Sequence, residues 1–362
     1  MGLDKLYTFQ ELSILSKKKK SQKTNKTDIA ILGESSNQFL KTAIEGTMAA
    51  RGNYFNIYES GYEQLDFEIY NLESKLYNLM PRYIIIVLSV EKFKKNFFEQ
   101  SQELKQQFAT NTVNEIKRKI NFLSKKLDSR IIILNLPEQI DLTFGNYGNK
   151  TKHSILYQLR TFNYELMNNS LSLDNLFICD INLIQQELGR KEFFDNRLYI
   201  KADIIYSLRA MPYISKNIVD IICAMEGSFN KCLILDLDNT LWGGIIGDDG
   251  IEEIQIGDLG IGKAFTEIQL WAKELLRRGI ILCVCSKNNE LIAKSPFLKH
   301  PDMKLKLEDI SVFVANWNNK ADNIRHIQKV LNIGFESMVF LDDNPFERNL
   351  VKQQLNGVTV PD

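Results

Sequence analysis

The segment Cys232-Leu-Ile-Leu-Asp-Leu-Asp-Asn-Thr-Leu241 decides the fold of the second half of the chain. In it, a short apolar run leads into two carboxylates, Asp236 and Asp238, and a hydroxyl, Thr240. An uninterrupted apolar run of this length is typical of a strand that is buried on both faces of a parallel sheet. Open parallel sheets bind ligands at the carboxyl ends of their strands, so a functional site is predicted at these carboxylates.

The two aspartates also predict a cation. Carboxylates side by side repel each other and are costly to bury unless a positive charge neutralises them. Hard oxygen ligands of this kind favour Mg²⁺. We therefore expect Mg²⁺ as the cofactor of a site that includes Asp236 and Asp238.

Three further polar positions follow along the chain, each at the end of a predicted element. Ser286 follows an apolar strand, Lys320 opens an amphipathic helix, and the pair Asp342 and Asp343 follows another strand. Each position alone is a weak signal, because a hydroxyl at a strand end or a lysine at a helix start is common. Their order after the D-x-D-x-T motif is much more specific.

In this order the motifs resemble those of the haloacid dehalogenase (HAD) superfamily. The resemblance implies that Asp236 is a nucleophile that forms an aspartyl-phosphate. It implies that Asp238 is the general acid and base, with its backbone carbonyl on Mg²⁺. Ser286 and Lys320 would bind the oxygens of the transferring phosphoryl group.

The same resemblance implies one more protein ligand to Mg²⁺ from the paired aspartates. Asp343 is the first candidate and Asp342 the second. Because side chains alternate along a strand, we expect only one of the two to reach the metal.

The spacing of the motifs indicates a domain without a cap. HAD enzymes select substrates with cap insertions between the first and second or the second and third motifs. Asp236 and Ser286 are 50 positions apart, and Ser286 and Lys320 are 34 apart, which leaves no room for a folded insertion beside the core helices. An open site suits a phosphate that is carried on, or transferred to, a macromolecule.

The residues within and around these motifs resemble those of the FkbH-like family over essentially all of residues 231–362. That resemblance implies a Mg²⁺-dependent phosphatase and glyceryl transferase of polyketide-type biosynthesis. Such a protein takes 1,3-bisphosphoglycerate, removes phosphate and loads a glyceryl unit on an acyl carrier protein. The segments that carry the resemblance are Leu235 to Gly250, Val284 to Asn289, His300 to Met303, Leu305 to Asp309, Ala315 to Trp317 and Phe340 to Pro345.

Glyceryl transfer in this family implies a cysteine that carries the acyl group, and Cys285, directly before Ser286, is the candidate. A thiolate there would be favoured by Mg²⁺ and Lys320. The alternative is a core role, because Cys283 and Cys285 share one face of the predicted strand.

The first half of the chain predicts a second α/β domain. From Asp28 onward, apolar runs alternate with amphipathic stretches, which indicates a parallel sheet covered by helices. We therefore predict two doubly wound, Rossmann-like α/β domains, the second a capless HAD core. The predicted divisions are a basic arm at 1–27, a first domain at 28–227 and a second domain at 228–362.

After the first predicted strand comes Gly33-Glu-Ser-Ser-Asn37, which resembles the nucleophile turn of SGNH hydrolases with Ser35 in the place of the serine. Such hydrolases also need an Asp-x-x-His to activate the serine. His153 lacks that context, and the other histidines, His300 and His326, fall in the second domain. We therefore predict a degenerate domain that is not catalytic.

Composition limits the partners. The 45 basic and 45 acidic residues cancel, which argues against a dedicated nucleic-acid binder. An acidic carrier protein would then need a local basic surface, for which Arg277, Arg278 and Lys287 are the candidates. No apolar run approaches the roughly 20 residues of a membrane span, and the amino terminus lacks a signal-peptide pattern, so a cytoplasmic location is expected.

Two other functions stay open. One is a stand-alone HAD phosphatase acting on an exposed phosphate. The other is a docking module for a carrier protein, with vestigial catalytic residues.

Overall fold

A computed structural model describes residues 6–18 and 28–361 of the chain. The chain divides into two compact units, Leu6–Met225 and Glu226–Asp362. Each unit is built around its own parallel sheet. The predicted α/β class with two parallel sheets is confirmed.

The first unit has a five-stranded sheet in the order β2-β1-β3-β4-β5, in which every neighbouring pair is parallel. Branched apolar residues line up across it, for example Ile31 beside Ile85 and Ile85 beside Ile132. Helices cover such a sheet on both faces, which explains the unbroken apolar runs. The strands are β1 Ile29–Gly33, β2 Ile57–Glu59, β3 Tyr83–Val87, β4 Arg130–Leu134 and β5 Leu176–Cys179.

Twelve helices are described in this unit. Several begin at a side chain that accepts a backbone N–H of the first turn, as Ser89, Ser154 and Asp180 do. They are α1 Phe9–Lys18, α2 Gln38–Ala50, α3 Leu65–Tyr70, α4 Lys75–Leu79, α5 Val90–Glu99, α6 Gln102–Lys105, α7 Phe108–Lys126, α8 Ile155–Ser170, α9 Ile181–Leu188, α10 Arg190–Phe193, α11 Asn196–Ala202 and α12 Met211–Met225.

The predicted arm at 1–27 needs a correction. Helix α1 packs along α2, and Leu12 is buried in the core of the first unit. Apolar residues at helical spacing gave α1 a face to bury, so this stretch belongs to the first unit. The lysine-rich remainder at 19–27 lies outside the described residues.

The second unit has a four-stranded parallel sheet in the order β8-β7-β6-β9. Its strands are β6 Cys232–Leu235, β7 Ile281–Ser286, β8 Val312–Ala315 and β9 Met338–Leu341. Its helices are α13 Ile246–Asp249, α14 Gly262–Arg277, α15 Glu290–Lys299, α16 Lys320–Leu331 and α17 Pro345–Gln354.

Side-chain alternation divides the core of this unit between the two faces of the sheet. Leu233 and Leu235 pack in one apolar cluster with α15, whereas Cys232 and Ile234 pack in the other with α16 and α17. Strand β6 lies between β7 and β9, so the end of β6 is flanked by both neighbours. This places the D-x-D motif at the centre of the sheet edge.

The intervals between the motifs hold core elements only. Between Asp236 and Ser286 the structure has α13, α14 and β7, and between Ser286 and Lys320 it has α15, a short 3-10 helix and β8. Residues 226–361 therefore contain no separate cap domain, as predicted. In the ranges that the structure covers, no helix combines the length and apolar character needed to cross a membrane.

Candidate active site

The site is built around Asp236, the residue that follows β6. Its backbone N–H donates to the carbonyl of Leu341 at the end of β9, at 2.9 Å. The side chain is almost fully buried, with 6% of the residue exposed. The sheet thus fixes both the position of this carboxylate and its separation from solvent.

Lys320, the first residue of α16, connects Asp236 to the paired aspartates. Its Nζ lies 2.9 Å from Oδ1 of Asp236 and 2.5 Å from Oδ2 of Asp342. The helix start is fixed by Asn319, whose side chain accepts the N–H of Ala321. Burial tends to lower the pKa of Lys320, but the two carboxylates outweigh it and the pKa is raised, so the ammonium stays charged.

Asp342 and Asp343 both approach Asp236. Asp236, Asp342 and Asp343 each offer a carboxylate oxygen, and these oxygens lie within 4.8 Å of one another. Both aspartates thus reach the cluster, and the expectation that only one of them reaches the metal stays a prediction. Strand β9 ends at Leu341, so strand alternation does not extend to the turn that follows.

The turn that carries the pair is held by groups that the sequence analysis did not single out. The guanidinium of Arg348 donates to the carbonyls of Asp342 and Asp343, at 2.9 and 2.6 Å. Oδ1 of Asp342 accepts the N–H of Asn344 at 2.8 Å. Both oxygens of Asp342 thus have protein partners, and its side chain is closed to solvent, whereas Asp343 is exposed.

The charges of this cluster fit a divalent cation. Three carboxylates face one ammonium, which leaves two negative charges for a cation to neutralise. Burial raises the pKa of Asp236 to about 6. The positive charge of Lys320 lowers this pKa, and the negative charge of Asp342 raises it. Burial and Asp342 also raise the pKa of Asp343. Oxygen donors with this net charge suit Mg²⁺.

Asp238 is held in the loop after β6 by three donors. Its Oδ1 accepts Nε1–H of Trp242 at 2.9 Å and the N–H of Ile246 at 3.0 Å. Its Oδ2 accepts the amide of Asn288 at 2.7 Å. Trp242 and Asn288 are positioning residues that the sequence analysis did not identify; their place inside the two family motifs was the available signal.

The D-x-D-x-T loop needs two residues with positive φ. Asn239 has φ 54°, a left-handed conformation that asparagine tolerates better than most residues, and its side chain accepts the N–H of Gly244. Gly244 has φ 94°, and a Cβ there would meet the carboxylate of Asp249. This local geometry turns the chain back so that Trp242 reaches Asp238.

Ser286 and Thr240 are both buried at the carboxyl edge of the sheet. Ser286 ends β7, the neighbour of β6, and its carbonyl accepts the N–H of Asn316. Oγ1 of Thr240 is buried without a hydrogen-bond partner. The structure thus brings the predicted serine to the strand next to Asp236 and leaves one motif hydroxyl unsatisfied.

Cys285 is placed beneath the site. It is 0% exposed, and its thiol contacts the backbone carbonyl of Lys320. Burial raises the pKa of this thiol to about 12; Lys320 opposes the effect, and Asp236, Asp342 and Glu347 add to it. A buried, protonated thiol is a poor acyl carrier, so this environment favours the core role that was the alternative.

The basic surface expected near the second motif is not continuous. Arg277 and Arg278 end α14, before β7 begins, and Lys287 follows β7. Six residues of strand separate them, about 20 Å at the usual rise. The arginines therefore lie at the opposite edge of the sheet from Asp236.

In the first unit, Ser35 follows β1 and is buried. The preceding Glu34 accepts the N–H of Ser89 at 3.0 Å and lies 3.3 Å from Nζ of Lys92. His153 makes a backbone hydrogen bond to Thr151, and its Nδ1 is buried without a partner. Among the described residues, no histidine is hydrogen-bonded to Ser35.

The central strand of this parallel sheet ends in a buried aspartate, beside a lysine and a paired aspartate, which is the grouping that the resemblance to the HAD superfamily led us to expect. The FkbH N-terminal domain family matches residues 28–223. The N-terminal part of the protein BF1531 from Bacteroides fragilis, which contains a phosphatase domain and was solved in complex with Mg, is 48% identical with a TM-score of 0.89. The match covers 99% of this chain and 94% of that one. The chain belongs to the FkbH family.

Two solved structures from Bacteroides thetaiotaomicron show slighter likenesses. A HAD family enzyme, bt-2542, in complex with magnesium and inorganic phosphate, is 16% identical with a TM-score of 0.25, over 36% of this chain and 93% of that one. A GDSL-like lipase, BT0569, is 10% identical with a TM-score of 0.36, over 60% and 99%. These two likenesses are too slight to support a functional argument. No curated protein matches the chain.

Proposed function

We propose that the second unit is a Mg²⁺-dependent HAD-type phosphatase with Asp236 as its nucleophile. One observation carries the proposal: a buried ammonium, Lys320, contacts both Asp236 and Asp342, with Asp343 in the same cluster. A purely structural ion pair needs one carboxylate for one lysine. Three carboxylates around one lysine suit a site that receives a cation and a phosphoryl group.

Each residue has a physical role in phosphoryl transfer. Asp236 attacks phosphorus, and the bond from phosphorus to the leaving oxygen breaks, which divides one displacement into two easier ones. Lys320 offsets the charge on the phosphoryl oxygens, and Ser286 adds a hydroxyl donor at the neighbouring strand end. Asp238 gives a proton to the leaving group and later takes one from the attacking water.

The orientation of Asp238 depends on its donors. Both of its oxygens accept hydrogen bonds, from Trp242, Ile246 and Asn288. A carboxylate has about four lone-pair sites, and these three bonds engage both sites of Oδ1 and one site of Oδ2. The remaining site on Oδ2 is therefore where Asp238 would carry the proton that it gives to the leaving group.

Asp236 and Asp343 would hold the metal through their side chains, together with the backbone carbonyl of Asp238. Asp342 would support them, because Lys320 and Asn344 already engage its oxygens. The ion would supply charge stabilisation for the phosphoryl oxygens. Its binding to a protein with 48% identity supports this assignment.

For the substrate, we propose 1,3-bisphosphoglycerate. Asp236 would take the phosphoryl group of the C3 ester and release the C3 hydroxyl, and the thiol of an acyl carrier protein would displace phosphate from the C1 acyl phosphate to form the glyceryl thioester. Membership of the FkbH family supports this, as does the absence of a cap between the motifs. A capless edge leaves Asp236 reachable by a group on the end of a flexible arm.

Asp236→Asn is the decisive variant for the phosphatase. It removes the nucleophilic charge but keeps the shape, so turnover should fall at least about 10³-fold while the thermal unfolding temperature changes little or rises. Asp258→Asn, an exposed aspartate in the loop before α14, is the matched control and should retain activity. Phosphate release from a panel of phosphate esters and acyl phosphates, with Mg²⁺ and with EDTA, measures both. Sustained turnover by Asp236→Asn would show that another group is the nucleophile.

The transfer reaction is tested separately. With glyceryl-labelled 1,3-bisphosphoglycerate, the carrier protein should acquire label that hydroxylamine removes, as expected for a thioester. Phosphate release without labelled carrier would leave a stand-alone phosphatase. Neither activity, together with no Mg²⁺ binding, would favour the docking module.

A further inference from the structure

An ion pair crosses the end of the strand that carries Asp236. Nζ of Lys287 lies 2.6 Å from Oε1 of Glu347. Lys287 follows β7, and Glu347 lies in the first turn of α17, which follows β9. Because β7 and β9 lie on either side of β6, this ion pair spans the edge of the sheet above β6.

The ion pair lies on the same side of the sheet as the nucleophile. Asp236 continues the alternation of Cys232 and Ile234, which pack against α16 and α17. Glu347 belongs to α17, whose Val351 packs in the same apolar cluster as Cys232 and Ile234. A group entering to meet Asp236 from this side therefore passes Lys287 and Glu347.

The two partners are exposed to very different extents. The side chain of Glu347 is 6% exposed, and its Oε2 is buried without a partner, whereas the side chain of Lys287 is 37% exposed. An ammonium has three N–H donors, and Glu347 takes one of them. The buried Glu347 thus holds the ammonium of Lys287 in place, and the ammonium keeps N–H donors that face the solvent.

Stability alone gives little reason for this arrangement. A buried carboxylate paired with one lysine contributes little, because the cost of removing the charges from water offsets their attraction. The position of Glu347 in the first turn of α17 is favourable for a negative charge, but the same benefit is available to an exposed residue. Because Glu347 is buried and fixed, it holds Lys287 in one position at the entrance to the site.

We propose that Lys287 binds a second anionic group of the substrate, next to the phosphoryl group that Asp236 receives, and that Glu347 is its positioning residue. This inference rests on the proposed phosphatase function and specifies its substrate class. Neighbouring strands are about 4.8 Å apart, so the second anion lies within a few bonds of phosphorus. Lys287 would thus be the residue that favours a substrate with a second anion, as 1,3-bisphosphoglycerate has, over phosphates of neutral alcohols.

The experiment compares two ligands of similar size, phosphoglycolate and ethyl phosphate, which differ in the second anion. Lys287→Gln should raise KM for phosphoglycolate about tenfold or more relative to any change in KM for ethyl phosphate, with kcat less affected, because a charge-assisted contact contributes roughly 1.5 to 3 kcal/mol. Lys294→Gln is the matched control, since Lys294 pairs with Glu290 on the surface of α15. It should leave both KM values near those of the wild type.

A second pair of variants separates positioning from folding. Glu347→Gln should weaken the preference for phosphoglycolate through Lys287. The double variant Lys287→Gln/Glu347→Gln should be no worse than Lys287→Gln alone, because both changes act on one contact. It also avoids a buried carboxylate without a partner, should Lys287→Gln fold poorly.

Equal KM changes for the two ligands would overturn the proposal and assign the ion pair a structural role. Ligand-induced shifts in unfolding temperature, measured with Mg²⁺ for both ligands, give the same comparison without turnover. A selective loss of the phosphoglycolate shift in an enzyme that hydrolyses neither ligand would support Lys287 and contradict the phosphatase. An unselective loss would contradict Lys287 whatever the turnover.

Discussion

At Asp236, burial and neighbouring charges act in opposite directions on one carboxylate. Burial and Asp342 favour its protonated form, Lys320 favours its ionised form, and the balance raises the pKa to about 6 from an ordinary value of 3.8. A nucleophile must be ionised, and so must a metal ligand. A cation bound at the cluster would therefore also favour the ionised form that the proposed nucleophile needs near neutral pH.

This balance predicts a pH-dependent effect of Mg²⁺ on stability. Because the pKa of Asp236 is higher in the folded chain, the folded state keeps this proton between about pH 4 and 6 while the unfolded state loses it. The contribution of Asp236 to stability therefore falls as the pH rises through that range and is fully lost above it. Mg²⁺ binds the ionised form, so its stabilisation should be large at pH 7.5, about 2.7 kcal/mol at a hundredfold excess over Kd, and small at pH 4.5.

Thermal unfolding at the two pH values, with MgCl₂ or with NaCl of equal ionic strength, measures this difference. Asp236→Asn should remove most of the Mg²⁺-dependent gain at pH 7.5. A gain of equal size at both pH values would mean that the ion binds elsewhere.

The sequence predicts which residue types form the candidate site, but it does not predict which of these side chains contact one another. Asp236, Ser286, Lys320 and the paired aspartates follow from motif order. Trp242, Asn288 and Arg348 were missed, because their roles depend on how a loop turns and which donor then faces a carboxylate. For Cys285 the sequence left two roles open, acyl carrier and core residue, and its full burial favours the core role that strand alternation offered.

At the scale of elements, helix α1 shows how a close approach of backbones defines an edge of the first unit. It packs along α2 at Gly46, where a Cβ would meet the backbone carbonyl of Leu12 and come within 2.7 Å of its Cα. A glycine within a helix costs about 1 kcal/mol relative to alanine. Here it allows two helices to approach more closely than any side chain would permit.

Gly46→Ala should therefore destabilise the first unit, although alanine is the better helix former. The clash is with backbone, which cannot rotate away, so we expect a net loss of about 1 to 3 kcal/mol in the free energy of unfolding, typical of overpacking. Urea denaturation followed by circular dichroism measures it. Gln38→Ala, at the exposed first position of α2, is the control; equal stability of both variants would show that α1 does not need this contact.

Sequence patterns failed for elements whose burial in the structure differs from what their residue types suggest. Strand β8, Val312–Ala315, was missed, since it is a short edge strand with Val312 and Phe313 only half-buried. The predicted arm was too long because a lysine run was weighed more heavily than the apolar face of α1. Central strands such as β3 and β4 are easier to recognise, because burial on both faces demands unbroken apolar runs.

For the molecule as a whole, the candidate site is built from residues of the second unit. Every residue of the carboxylate cluster, with Lys320 and the donors to Asp238, lies within residues 226–361. The second unit also has its own apolar clusters on both faces of its sheet. It therefore has what an independently folding domain requires.

A fragment comprising residues 226–362 should fold cooperatively and retain the Mg²⁺-dependent hydrolysis of small phosphates to within about threefold of the full chain. Circular dichroism on heating and a phosphate-release assay measure the two properties. A fragment of residues 6–225 is the control and should release no phosphate. A folded but inactive second unit would show that the first unit contributes to the chemistry.

The sequence by itself determined the α/β class, the capless second unit and the identities of the charged groups, because these depend on periodicity, spacing and residue type. Only the tertiary structure decided which groups meet: that both Asp342 and Asp343 approach Asp236, that Cys285 is closed off, and that Lys287 is held over β6 by Glu347. The physical reason is that chemistry at a sheet edge depends on distances of a few ångströms between strands far apart in sequence. Those distances are set by packing and loop geometry, which local patterns do not encode.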